Sequence, residues 1–93
     1  MMIQIRYEFG YFKDLRELNN EKPQLKREIV SRIKIFSKKP EDTRLNNHML
    51  GGKLKGQWAF SITGDIRIVY RWTGKNKVSF VGIGPHAKVY KRN

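Results

Sequence analysis

Hydrophobic positions change period twice along the 93-residue chain. Residues 2–8, M-I-Q-I-R-Y-E, alternate as a strand of mixed exposure does. From Phe9 the period lengthens. Phe9, Phe12, Leu15 and Leu18 recur every three residues, which indicates one face of a helix. Asn19-Asn20 is the expected stop. Pro23 then suits the first turn of a second helix. Leu25, Ile29, Ile33 and Phe36 form its stripe, with Val30 beside it. Pro40 follows, and a polar loop leads to His48.

From Trp58 the period returns to two. Trp58, Phe60 and Ile62 alternate with Gln57, Ala59, Ser61 and Thr63. Gly64-Asp65 suits a two-residue hairpin connection. Ile66, Ile68, Tyr70 and Trp72 alternate with Arg67, Val69 and Arg71. T-G-K-N-K reads as a second turn, and Val78 to Ile83 as the last strand. The order is β-α-α-β-β-β. Two consecutive helices cannot both be crossovers between neighbouring parallel strands. The expected architecture is therefore α+β, a two-helix hairpin packed on one face of a largely antiparallel four-stranded sheet. The chain shows no repeat or linker, so residues 1–93 read as a single domain.

Parity assigns the other face of the sheet. If Trp58, Phe60, Ile62, Ile66, Ile68 and Tyr70 look toward the helices, then Ala59, Ser61, Arg67, Val69 and Arg71 look away. Small residues on one strand and arginines on the next make a shallow basic trough on an open face.

Charge gives that trough a meaning. Twenty Lys and Arg against eight Asp and Glu leave a net charge of +12. Such an excess repels itself in a compact fold, and it fits a polyanionic partner: nucleic acid first, then an acidic protein or an anionic membrane surface. Cysteine is absent, so disulfides and thiolate metal sites are excluded. No apolar run approaches the ~20 residues of a membrane span. The first residues lack the apolar stretch of a signal peptide, which points to a cytoplasmic protein. The lysines and arginines of the second helix read as a solvated face.

The candidate chemistry lies in the second half. Arg67 is mid-strand, where its planar fork could grip a phosphate, or where its stem could cover apolar surface or pair with Asp65. His48 stands before G-G-K-L-K-G, as an exposed or capping histidine or as part of a site. Lys53 and Lys55 lie in that glycine-rich approach. Its spacing is not that of a Walker loop, and a strand follows it. His86 and Tyr90 are four residues apart and share a face if they lie on a helical turn. Two histidines without cysteine do not make a zinc ligand set. RNA, however, carries its own nucleophile, the 2′-hydroxyl. A protein that cuts RNA need only move protons and steady the phosphate, without metal or cofactor. A tyrosine could stack on a base or hydrogen-bond the phosphate.

Three blocks carry a resemblance: L-N-N-H-M-L-G-G-K-L-K-G-Q-W, G-D-I-R-I-V-Y-R-W and V-G-I-G-P-H-A-K-V-Y. Together they resemble the RelE/ParE toxin superfamily of toxin–antitoxin modules, in its RelE/StbE and YafQ-like branch. The blocks follow the family order over residues 45–90, and the helix pair before them also fits. The resemblance implies a ribosome-dependent mRNA endonuclease that cuts the A-site codon. It also implies a cognate antitoxin, expected to be acidic and partly disordered. Arg67 matches the strand arginine on the scissile phosphate, His86 the acid–base or phosphate-contact position, and Tyr90 the terminal aromatic. His48 matches the histidine of the glycine block, and Asp65 an acidic position. Lys53 and Lys55 stand in for RNA-facing lysines, and Arg71 and Lys88 join them as expected RNA contacts. The YafQ-like branch has a further histidine in the strand after the glycine block, and this chain has none. Two other classes remain open on the same scaffold: a ParE-like gyrase inhibitor and a non-catalytic basic RNA-binding module.

Overall fold

The computed structural model describes residues 2–90. β1 (Gln4–Tyr7) leads into α1 (Phe9–Glu21), a 3-10 turn at Pro23–Leu25, and α2 (Lys26–Lys38). Then come β2 (His48–Met49), β3 (Trp58–Ser61), β4 (Ile66–Gly74), β5 (Lys77–Pro85) and α3 (His86–Tyr90). The sheet order is β1-β5-β4-β3-β2. β1 runs parallel to β5, and every other pair is antiparallel.

The α+β architecture is the expected one, with one strand more than the expected four. The addition is β2, where the sequence reading placed the end of a loop. Its two residues are too few for alternation to register, and Asn46, Asn47 and Gly51 around it read as loop. The connection between β3 and β4 is also longer than Gly64-Asp65. It spans residues 62–65 and closes with the Ile62 N–H on the Ile66 carbonyl at 2.8 Å.

The stripe on α1 is not the one the three-residue spacing indicated. Phe9 is 84% exposed and Phe12 54% exposed, while Tyr11, Asp14 and Leu18 are buried. The reason is geometric. At about 100° per residue, Phe9 and Leu18 point in opposite directions. Alternating steps of four and three, as in Tyr11, Leu15 and Leu18, stay on the core side. On α2 the stripe holds: Ile29 and Phe36 are buried, and Leu25 and Ile33 pack against the core.

The main core lies between the helices and the sheet. Phe36 stacks on Phe60 with centroids 4.4 Å apart, and Tyr70 and Phe80 complete the aromatic centre. Val78, Phe80 and Ile83 all reach this core although their spacing is two and then three. A bulge explains it. Val69 pairs with Gly82 and Tyr70 with Phe80, so Val81 is the extra residue.

The far face of the sheet is not fully open. Ala59, Val69 and Val89 form a second small cluster, with Leu50, Val81 and Tyr90 against it. α3 thus folds back over the middle of that face. Among the described residues no helix is long and apolar enough to cross a membrane.

Candidate nucleic-acid site

Register fixes where the candidate side chains stand. Arg67 is opposite Ser61 on β3 and Gly84 on β5. A hydroxymethyl group on one side and no side chain on the other leave room around the guanidinium. Its grip on the protein is weak. Nη1 reaches Ser61 Oγ and Nη2 reaches the Gly64 carbonyl, each at 3.5 Å. The alternative of an ion pair with Asp65 does not occur. Nε is buried and has no partner among the described residues.

His48 is in the row His48–Ala59–Val69, on the face that also carries Arg67. Its Nδ1 is 2.9 Å from the Asn46 carbonyl oxygen. A carbonyl only accepts, so Nδ1 carries the hydrogen.

Gly84-Pro85 ends β5, and α3 starts at His86. The His86 backbone N–H donates to the Asp65 carbonyl at 3.1 Å, which ties α3 to the β3–β4 loop. That backbone bond is what Asp65 contributes; its side chain is exposed. One helical turn later, the Tyr90 ring meets the His86 ring edge-on, 4.2 Å between centroids. Tyr90 packs on the Ala59–Val69 cluster, and its Oη is buried without a partner among the described residues. Arg67 and His48 therefore stand on the far face, and Tyr90 packs on that face with the His86 ring against it. Buried donors without partners are uncommon in folded proteins, and two of them lie here.

The expected RNA-facing cations divide into two groups. Lys53, in a 3-10 turn at Gly52–Leu54, and Lys55, just after it, are exposed and form no ion pair among the described residues. Arg71 and Lys88 are engaged. Arg71 Nη2 bonds Glu8 Oε2 at 2.6 Å, and Ser79 Oγ donates to the same oxygen at 2.7 Å. Lys88 pairs with Glu17 and lies 3.9 Å from Asp14 Oδ1.

Asp14 is the residue that the sequence reading passed over. It is buried, and its Oδ2 accepts the Ile83 N–H at 3.1 Å. With Lys88 it ties α1 to the end of β5 and to α3. Its position between Tyr11 and Leu18, a carboxylate on an apolar stripe, was the available signal. Among the described residues no three His, Cys, Asp or Glu side chains gather to hold a metal.

Residues 3–91 match the model of a family described as YafQ, bacterial toxin of a type II toxin–antitoxin system. The chain belongs to the YafQ toxin family. It lies within the RelE/YafQ-like superfamily, as its sequence blocks indicated. A comparison with curated protein sequences gives no match. Among solved structures, YafQ from E. coli strain BL21(DE3) superposes with a TM-score of 0.78 at 19% identity, over 95% of this chain and 98% of that one. The toxin in the E. coli DinJ–YafQ toxin–antitoxin complex gives 0.76 at 21%, over 97% and 99%. The YoeB/ParE toxin from Agrobacterium tumefaciens gives 0.74 at 19%, over 90% and 99%. At these identities the likeness establishes the shared fold.

Proposed function

We propose that this YafQ-family toxin is a ribosome-dependent mRNA endonuclease that cuts the codon in the A site. One observation carries the reading: Arg67 and His48 share the sheet face on which Tyr90 packs with His86 against its ring, and Arg67 Nε and Tyr90 Oη are buried and unpartnered among the described residues. A histidine takes the proton of the ribose 2′-hydroxyl. The resulting oxygen attacks the adjacent phosphorus, forming a 2′,3′-cyclic phosphate and breaking the bond to the 5′-oxygen of the next nucleotide. A second acid returns a proton to that oxygen. The nucleophile belongs to the substrate, so no metal hydroxide is needed to supply one.

His86 is the acid or base at the reacting atoms. His48, its ring oriented by the Asn46 carbonyl, is its partner or a positioning group. Arg67 steadies the charge on the crowded phosphate. Tyr90 braces the His86 ring, and its Oη hydrogen-bonds the phosphate or moves a proton once RNA binding uncovers it. Lys53 and Lys55, together in the turn before β3, hold the RNA strand. Lys88 acts as a strut for α3 through its bonds to α1. The chain works as one domain in the cytoplasm.

A protein antitoxin is the second partner. Support comes from the DinJ–YafQ complex of a structural relative and from the +12 charge, which suits an acidic, partly disordered segment. The test is induction in cells of the wild type beside His86→Ala/Arg67→Ala. Growth arrest and message loss confined to the wild type are expected. Arrest by both with messages intact would contradict the proposal and turn attention to a ParE-like action on gyrase.

A further inference from the structure

A depression lies on the same sheet face, toward the β4–β5 turn, and the proposed chemistry makes no use of it. It has a volume of about 450 Å³ and is bounded by Arg6, Glu8, Phe9, Arg71 and Thr73, with Ser79 at its base. Arg6, Ser79 and Arg71 form one row across β1, β5 and β4. Arg71 is four residues along β4 from Arg67, roughly 13 Å at the rise of a strand. We propose that this depression is a second nucleotide subsite, taking an unpaired base that bears an exocyclic amine. The inference rests on the reading that this face receives RNA, and it adds where a neighbouring nucleotide goes and which bases fit.

Phe9 supplies the first argument. It is 84% exposed at the start of α1, on the wall of a polar depression, and it contributes almost nothing to the core. Such a ring beside arginines is what a base stacks on. Glu8 supplies the second. Its carboxylate holds Arg71 and Ser79 in place, at 2.6 and 2.7 Å. An ionised carboxylate is acceptor-only and repels a phosphate. The depression therefore suits a base rather than the backbone, and specifically adenine, cytosine or guanine, whose amino groups donate. Uracil has carbonyl oxygens in place of the amine and donates only through its single ring N3–H. Arg6, exposed on the rim, is the phosphate contact.

An apolar protein segment is the other candidate occupant of an exposed phenylalanine. The polar floor, with its fixed Glu8–Arg71 pair, disfavours it.

The test is equilibrium binding of fluorescent 2′-O-methyl hexamers, which lack the free 2′-hydroxyl and stay uncut. Oligo-A, oligo-C and oligo-U are titrated onto the purified protein. The A and C hexamers are expected to bind several-fold more tightly than U. Phe9→Ala, at an exposed position, keeps the fold and weakens A and C binding by about five- to a hundredfold, the range of one lost base stack. Glu8→Gln narrows the difference between A and U. Equal affinity for the three hexamers, or an unaltered A affinity in Phe9→Ala, would overturn the subsite. So would a Phe9→Ala protein that binds hexamers normally but loses its antitoxin. Because this assay involves no cleavage, a positive result survives failure of the nuclease reading, and a negative one leaves that reading in place.

Discussion

The rings of His86 and Tyr90 meet edge to face, 4.2 Å between centroids, one helical turn apart on α3. The contact makes the tyrosine ring a brace for the imidazole, while its hydroxyl points to a buried spot with no partner among the described residues. Ring and hydroxyl can therefore be separated by mutation. Tyr90→Phe keeps the brace and removes the polar atom. Its stability should stay within about 1 kcal/mol of wild type, because the lost hydroxyl made no bond in the protein. Cleavage should fall at least tenfold. His86→Ala should fall further, by roughly 10²–10⁴, the usual contribution of a positioned acid–base group. Single-turnover cleavage on programmed ribosomes beside urea denaturation reads both quantities. Loss of stability without loss of rate in Tyr90→Phe would make the tyrosine a packing residue.

Arg67 is held by two long contacts at 3.5 Å, so its fork is available. Arg67→Lys keeps the charge and loses the planar pair of donors. Cleavage should drop by about 10²-fold, in the range of a removed transition-state donor. RNA affinity should change far less. If lysine restores the full rate, only charge matters at this position.

Asp14 makes a prediction about stability. Asp14→Ala leaves the buried Ile83 N–H without its acceptor and Lys88 without one of its two carboxylates. A loss of roughly 1–3 kcal/mol is expected from the unsatisfied donor, seen as a lower urea midpoint at unchanged slope. Asp14→Asn keeps an oxygen for Ile83 and should recover part of it. An Asp14→Ala protein as stable as wild type would show that the α1–β5 tie is unimportant.

Alkaline pH should unfold the protein through its buried phenols. Burial pushes Tyr70 up to about 12, and its hydroxyl donates to Asn47 Oδ1 at 2.8 Å. Tyr11 is raised further, by burial and by the neighbouring Tyr7. A phenol in the unfolded chain ionises near 10. The folded state thus holds its protons where the unfolded state releases them. The stabilising effect is complete below about pH 10 and is lost as pH rises toward 12. Tyrosinate absorbance and far-ultraviolet circular dichroism, followed together, should change in one transition in that window. Ionisation of Tyr70 at ordinary phenol pH with the fold intact would contradict the burial.

Helix pair, sheet hairpins and face assignment were legible because each rests on a long periodic run. Trp58, Phe60 and Ile62 alternate before the turn and Ile66, Ile68 and Tyr70 after it, and parity alone put Arg67 on the face away from the helices. What escaped has definite causes. β2 is two residues, a single strand period with no repeat to register. The α1 stripe was misread because apolar residues three apart drift around a 3.6-residue helix, and Phe9 and Phe12 are exposed. The bulge at Val81 is invisible until β4 and β5 are paired. For the site, the spacing of His86 and Tyr90 foretold their contact, since residues four apart share a helix face. The pairing of Arg71 with Glu8 and of Lys88 with Glu17 could not be foretold, because those partners are more than sixty residues away along the chain and only the fold brings them together. A positive charge in a sequence shows a cation, not whether a carboxylate has already claimed it.

The most direct measurement of the central claim is primer extension on a defined message in a ribosome-containing translation system, with wild type beside His86→Ala/Arg67→Ala. Cuts within the A-site codon, dependent on ribosomes and absent with the double mutant, are expected. Identical cuts from both proteins, or an intact message with wild type bound to the ribosome, would contradict it.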